Sequence, residues 1–124
     1  MKNQIYLLAL AVMFSGAVNA EWVMVIDDSK GQFFIEEKAI KRENSVREYW
    51  GLQNLRNPKD NIKSAKALHK VDCVSGTTEV IYMSGHSELN SGGNRLMEFI
   101  KPSLTFTTKE KPELLPATNF VCAR

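Results

Sequence analysis

The sequence predicts an α+β domain in which short β-strands precede a single C-terminal helix. Apolar, β-branched and aromatic residues recur in short runs between turn-forming residues, at residues 22–27, 32–35, 45–55, 78–83 and 95–100. This spacing is typical of strands joined by turns. Pro112 suits the first turn of a helix, so a helix is predicted within residues 111–123.

The most regular strand pattern lies in residues 45–55, where side chains alternate between two faces. Trp50 falls on the face of Val46, whereas Tyr49 falls on the face of Arg47. We predict that Trp50 is buried in the sheet core and that Lys66 is exposed. Residues 57–61 are expected to form a loop, and the strand that starts at residue 95 is expected to stop before Pro102.

Residues 62–73 carry two competing patterns. Ala65, Leu68 and Val71 recur at a helical spacing, and alanine and lysine favour helices. Ala65 and Val71 also belong to an apolar–polar alternation that runs to Cys73, as in a strand. Local periodicity leaves both structures open.

Composition limits the classes of protein that the chain can represent. The 124 residues correspond to one domain, and 44% hydrophobic with 24% charged residues is the mix of an ordinary folded protein. Sixteen basic and 14 acidic residues give a net charge of +2. That charge is too small to indicate a nucleic-acid-binding protein, which usually has a strongly basic face.

The first twenty residues have the layout of a cleaved secretory signal peptide. Lys2 precedes an uncharged, mostly apolar run over residues 5–18, and small residues lead to Ala20. A membrane anchor is the alternative, but a spanning helix needs about 20 apolar residues. We therefore expect cleavage between Ala20 and Glu21, no membrane anchor, and a periplasmic or secreted domain over residues 21–124. The run holds no cysteine that could carry a lipid.

Export favours a disulfide between the two cysteines, Cys73 and Cys122. The alternative is a pair of free thiols, one of them catalytic, which would need His69 or His86 as a base. A bridge would close a loop of about 50 residues and would contribute roughly 4 kcal/mol in the chain-entropy model.

The order of residues resembles the surface-adhesin protein E family of bacterial envelope proteins. The features that carry the resemblance are Trp22, Phe34-Ile35-Glu36, residues 40–46 leading to Trp50, Ser64, Asp72-Cys73, Gly92-Gly93 and Val121-Cys122. This chain has Glu36 where the family usually has aspartate, and Phe99 where a tryptophan often stands.

The resemblance implies a small antiparallel sheet of about five to six strands, a C-terminal helix and one disulfide. It also implies that residues 64–73 form a strand. Founding members of the family are surface adhesins that bind host matrix and serum proteins and form dimers. The expected function is therefore an exported module that binds another protein; the alternative is a structural or assembly role in the periplasm, with homodimers pairing edge to edge.

Catalytic and metal-binding patterns are weak in this sequence, so we expect no enzyme and no cofactor. Ser87 lacks the glycine two positions later that a hydrolase elbow needs, because Leu89 stands there. His69, Asp72, Cys73 and His86 are too widely spaced for a zinc site, and the two histidines are expected to be solvent-accessible. The carboxylates Glu36, Glu37, Glu43 and Glu48 lack an evident cleft.

One basic stretch remains as a weak binding candidate. It consists of Lys59, Lys63, Lys66 and Lys70. If residues 62–73 form a strand, Lys66 and Lys70 share a face and could contact an acidic protein segment or an acidic polysaccharide. A solvated face is the alternative.

Overall fold

Seven strands and one C-terminal helix make up the fold in the computed structural model, which describes residues 20–124. The predicted signal peptide, apart from Ala20, lies outside the described residues. The elements are β1 (Trp22–Asp28), β2 (Gly31–Glu36), β3 (Lys41–Glu43), β4 (Val46–Lys59), β5 (Ile62–Asp72), β6 (Thr77–His86), β7 (Arg95–Thr107) and α1 (Leu115–Cys122).

All strands belong to one antiparallel sheet in the order β1-β2-β4-β5-β6-β7. The three-residue strand β3 also pairs with β4, so the sheet has seven strands. Gly31 lets β2 pass close to β4: its φ is +138°, and a Cβ atom there would lie 1.9 Å from the carbonyl oxygen of Asn54. The predicted α+β class and antiparallel sheet are confirmed.

The core lies between one face of the sheet and α1. Its buried residues are Phe33, Ile35, Tyr49, Val71, Ala117 and Val121. Alternation decides which side chains reach it, because successive residues of a strand point to opposite faces. In β4 the buried positions include Arg47, Tyr49 and Gly51, so the alternation predicted there is correct.

The prediction that Trp50 is buried in this core is wrong. Trp50 is half-buried and lies on the face of the sheet away from α1, whereas Tyr49 is only 3% exposed. The prediction that Lys66 is exposed is also wrong, because Lys66 is half-buried on the same face as Trp50. Both faces of β4 carry large rings, and the position of a distant helix decides which face is covered.

The disulfide between Cys73 and Cys122 is confirmed, with 5.8 Å between the two Cα atoms. It joins the chain just after β5 to the last residue of α1. Next to it, the Asp72 carboxylate accepts hydrogen bonds from the backbone N–H groups of Val74 (2.9 Å) and Ser75 (3.4 Å), which lower the pKa of Asp72. Because Cys122 belongs to α1 and Cys73 follows β5, the bridge covalently links a helix of only eight residues to the sheet.

Several predicted boundaries change in the structure. Residues 62–72 form a strand, as the family resemblance implied. β4 continues to Lys59 and turns at Asp60 and Asn61, which both have positive φ. β7 continues through Pro102 to Thr107, because proline is tolerated in an edge strand. The helix is shorter than predicted, since residues 112–114 form a 3₁₀ turn before α1.

Candidate functional site

The face of the sheet opposite α1, here called the open face, carries a row of large side chains. Cross-strand pairing places Trp50 next to Leu68, Leu68 next to Tyr82, and Tyr82 next to Ile100. Directly paired residues in an antiparallel sheet share a face. Ile100 is 72% exposed. The row therefore presents aromatic and aliphatic surface across four neighbouring strands.

Lys66 lies against two tryptophans on the open face. Its Nζ is 4.9 Å from the ring centroid of Trp50 and 6.0 Å from that of Trp22. A lysine ammonium at such distances is attracted to the ring quadrupole, most strongly by tryptophan. Among residues 20–124, no carboxylate lies within ion-pair distance of Lys66. The ammonium group is thus held in place by aromatic rings and keeps its charge free for another partner.

Next to Lys66 is a concavity of about 330 Å³, here called the open-face hollow. Its lining consists of two aromatic rings, three side chains with basic nitrogens and two serines: Trp50, Tyr82, Lys66, His86, Arg95, Ser84 and Ser91. Within residues 20–124, no carboxylate belongs to this lining. The hollow therefore combines apolar ring surface with hydrogen-bond donors of positive charge.

Hydrogen bonds fix most of the polar side chains around the open-face hollow. The Tyr82 hydroxyl donates to Glu98 Oε2 at 2.6 Å, and Arg95 Nη1 lies 3.1 Å from the same oxygen. His86 Nε2 and Ser84 Oγ are 2.8 Å apart. Partial burial is the largest cause that lowers the pKa of His86, and the positive charges of Lys66 and Arg95 lower it further.

Ser91 lines the open-face hollow and belongs to a turn over residues 89–91, which two buried polar residues hold against the sheet. Asn54 donates from Nδ2 to Asn90 Oδ1 at 2.9 Å and accepts from the Asn90 N–H at 2.8 Å. Ser64 donates to the Glu88 carbonyl at 2.6 Å and accepts from the Ser91 N–H at 2.9 Å. No pattern in the sequence indicated that Asn54 would anchor this turn.

A second concavity, of about 590 Å³, lies on the opposite face beside the residues that precede α1; we call it the helix-side hollow. Its floor includes the small residues Gly51, Ala65 and Ala67, and its walls include Met83 and Phe106. The space has two causes. The side chains on these central strands are small, and the short helix covers only part of the sheet.

His69 contributes to the helix-side hollow and contradicts the expectation of two solvent-accessible histidines. It is only 7% exposed, and its ring stacks on Tyr49 with 4.7 Å between centroids and an interplanar angle of 8°. Its Nδ1 has no hydrogen-bond partner within the described chain. Burial lowers the pKa of His69 to about 4, and weaker interactions with the backbone of Ala67 and Tyr49 act in the other direction. The ring is therefore a neutral part of the core wall.

The remaining candidates from the sequence do not come together. Lys70 shares the open face with Lys66, and its register partners in the neighbouring strands are Glu48 and Glu79. Ser87 lies in a turn, where its Oγ accepts a hydrogen bond from the Asn94 N–H at 2.8 Å. Glu37 is 2.7 Å from Arg124 in an ion pair.

Residues 20–124 contain no group of three or more histidine, cysteine, aspartate or glutamate side chains that could hold a metal ion. Over the same residues, no helix is long and apolar enough to cross a membrane. The open face is the best-defined candidate site of the described chain because two tryptophans and Lys66 meet there beside a hollow.

Comparison with known proteins places this fold in a family. The family model described as surface-adhesin protein E matches residues 22–123. The chain belongs to the surface-adhesin protein E family. A search of curated proteins finds no match.

Solved structures of protein E from Haemophilus influenzae have the same fold. Crystal form II has a TM-score of 0.66 at 15% identity, with 86% of this chain and 91% of that chain covered. A structure from a non-typeable strain has a TM-score of 0.63 at 15% identity, with 87% and 79% covered. At this identity the similarity establishes the fold and leaves the ligand to be argued from this chain's own residues.

Proposed function

We propose that the protein is an exported, non-enzymatic module of the bacterial envelope that binds another protein through its open face. The observation that carries this proposal is the arrangement of Lys66 against Trp22 and Trp50 on the sheet face away from α1. Tryptophan, tyrosine and arginine dominate the binding energy of protein interfaces. Trp50, Tyr82 and Arg95 all line the same hollow.

The open face also has the mixed character of an interface. Ile100, 72% exposed, offers apolar surface beside Tyr82, while Lys66 and Arg95 offer charge. Interfaces usually place an apolar centre within a polar rim. Membership of a surface-adhesin family supports host matrix or serum proteins as the partner class. The signal-peptide pattern supports delivery of residues 21–124 to the periplasm or beyond.

A structural role in the periplasm, with two copies pairing edge to edge, is the second candidate. It is favoured by β7, an edge strand that exposes Phe99 (51%) and Leu104 (46%). Unpaired edges can recruit a strand from another chain. However, Lys101 and Ser103 have positive φ and interrupt the regular edge. The open face is therefore the better supported surface.

A binding comparison of two aromatic variants tests the proposal. Residues 21–124, with the disulfide intact, would be immobilised and exposed to purified matrix and serum proteins and, separately, to an envelope extract. Trp50→Ala changes the open face, and Phe99→Ala removes an exposed ring on β7 as a matched control. We expect at least a tenfold loss of affinity for Trp50→Ala, equal to about 1.4 kcal/mol, and a change below about twofold for Phe99→Ala.

The opposite pattern would contradict the open-face proposal and support the edge-pairing role. In that case Phe99→Ala would weaken self-association, measured by sedimentation equilibrium, while Trp50→Ala would bind as the wild type does. Circular dichroism of each variant would show that the sheet is intact, so that a loss of binding reports on the surface.

A further inference from the structure

The open-face hollow has an unbalanced set of charges. Lys66 and Arg95 both line it, and no carboxylate of the described part of the chain does. Glu98 lies next to two of its lining residues: its Oε2 accepts a hydrogen bond from Tyr82 at 2.6 Å and lies 3.1 Å from Arg95 Nη1. The hollow therefore offers positive charge that the described residues leave only partly compensated.

We infer that the open-face hollow binds a carboxylate side chain from an acidic, apolar-flanked segment of the partner protein. This inference rests on the proposed function, because it names the chemistry that the open face would recognise. Lys66 would supply the main charge, and Arg95 a second donor group. The aromatic rings of Trp50 and Tyr82 would contact the aliphatic part of the same side chain.

The position of Lys66 favours a carboxylate over a neutral group. Its ammonium has three donors but forms no ion pair or hydrogen bond with another described side chain, and ring contacts hold it 4.9 Å from the Trp50 centroid. Hydrogen bonds between ionised partners are shorter and roughly twice as strong as neutral ones. The arginine guanidinium adds a planar set of five donors, of which only the Nη1 group faces Glu98 here.

The dimensions and borders of the hollow favour a protein segment over a polysaccharide. Its volume of about 330 Å³ accommodates one or two side chains, and Ser91, from the turn over residues 89–91, forms part of its border. A chain of acidic sugars would need a continuous groove. In addition, exposed Ile100 pairs with Tyr82 on the same face and needs an apolar partner group. An acidic segment with apolar neighbours satisfies both requirements.

Three probes test this inference on the disulfide-bonded chain of residues 21–124. The first is a soluble, end-capped heptapeptide with two glutamates flanked by leucines. The second replaces both glutamates with glutamine, and the third is a heparin tetrasaccharide. Amide chemical shifts in ¹H–¹⁵N NMR spectra would give the site and the affinity. We expect the glutamate peptide to shift residues that line the open-face hollow and to bind at least tenfold more tightly than the glutamine peptide.

Four variants separate charge from packing. Lys66→Gln and Arg95→Gln should each weaken the glutamate peptide at least fivefold, whereas Lys66→Arg, which keeps the charge, should bind within about threefold of the wild type. Lys70→Gln is the matched control, because it removes one lysine from the same strand face; it should have no more than a twofold effect. If Lys66→Gln does not fold, Arg95→Gln and the two peptides still decide the question.

Three results would overturn the inference. The first is equal binding of the glutamate and glutamine peptides. The second is the absence of chemical-shift changes at the open-face hollow at about 1 mM glutamate peptide, a concentration that would detect even a binding free energy near −4 kcal/mol. The third is preferential binding of the heparin tetrasaccharide.

Failure of the inference can be told apart from failure of the proposed function. If Trp50→Ala abolishes capture of a purified protein but Lys66→Gln does not alter it, the open face is the binding surface and the carboxylate inference is wrong. If Trp50→Ala leaves capture unchanged, the open-face proposal is itself wrong.

Discussion

Acidification from pH 7 to pH 5 should destabilise the protein through His69. This ring is 7% exposed, stacks on Tyr49, and has a folded-state pKa of about 4 compared with the ordinary value of 6.5. Between these two values the unfolded chain binds a proton that the folded chain excludes. Stability therefore rises with pH in this window, and it is lost as the pH falls from 6.5 towards 4.

The magnitude follows from the two pKa values of His69. The full pKa difference of about 2.5 units corresponds to roughly 3.5 kcal/mol, at about 1.4 kcal/mol per unit. Only part of it is expressed at pH 5, where the linkage relation gives a loss of about 2 kcal/mol relative to pH 7. That is a large share of the roughly 5–15 kcal/mol that stabilises a small domain.

Urea unfolding at the two pH values, followed by tryptophan fluorescence, would measure this loss. The variant His69→Phe should show most of the pH dependence removed, because an apolar ring of similar shape cannot be protonated. His86→Gln is the control; it should retain most of the pH dependence, since His86 is only partly buried. An NMR titration that gives a pKa above about 6 for His69 in the folded protein would refute the reasoning. Equal stability at pH 7 and pH 5 would refute it as well.

Three further predictions concern the disulfide, the two faces of β4 and the mature N-terminus. Replacing Cys73 and Cys122 by serine should cost about 4 kcal/mol for a sequence separation of 49, measured by urea unfolding; a loss below about 1 kcal/mol would contradict the chain-entropy account. Tyr49→Ala should cost about 3–5 kcal/mol and Trp50→Ala only about 1–2 kcal/mol, because Tyr49 is buried and Trp50 is half-buried; the reverse order in thermal unfolding would place Trp50 in the core. N-terminal sequencing of the protein from native cells should begin at Glu21, and recovery of the intact precursor from membranes would contradict cleavage.

The sequence predicted local structure where one pattern dominated. The alternation in β4 is correct, and the turns around Asn44, Gly76 and Gly93 occur at positive-φ positions, as turn-forming residues favour. Residues 62–73 could not be assigned by periodicity, because alanine and lysine suit a helix while the alternation suits a strand. The family resemblance resolved that ambiguity in favour of β5.

Burial could not be read from the same patterns, because it depends on the distant C-terminal helix. Trp50 and Tyr49 are adjacent large rings, and the sequence does not say which face α1 covers. The burial of His69 was missed for the same reason. The alternation in β5 does not say which face is covered, and only the folded sheet shows that the His69 ring stacks on Tyr49. The disulfide was predictable, since two cysteines in a chain with a signal-peptide pattern favour one bridge.

The candidate site was only partly predictable. Lys66 was recognised as a binding candidate from its place in a basic stretch, but its contact with Trp22 and Trp50 joins strands that are distant in sequence. Arg95 drew no attention, because its role depends on the register of β6 and β7 across the sheet. Asn54 is an ordinary polar residue in sequence, and only the folded turn shows that its amide pairs with Asn90.

A footprint of the open face in complex with a captured protein would test the central claim most directly. Hydroxyl-radical labelling of the free and bound protein, read by mass spectrometry, reports the exposure of each aromatic side chain. We expect the partner to protect Trp50 and Tyr82 and to leave Phe106, in the helix-side hollow, labelled as in the free protein. Protection of Phe106 with unchanged labelling of Trp50 would contradict the claim that the open face is the binding surface.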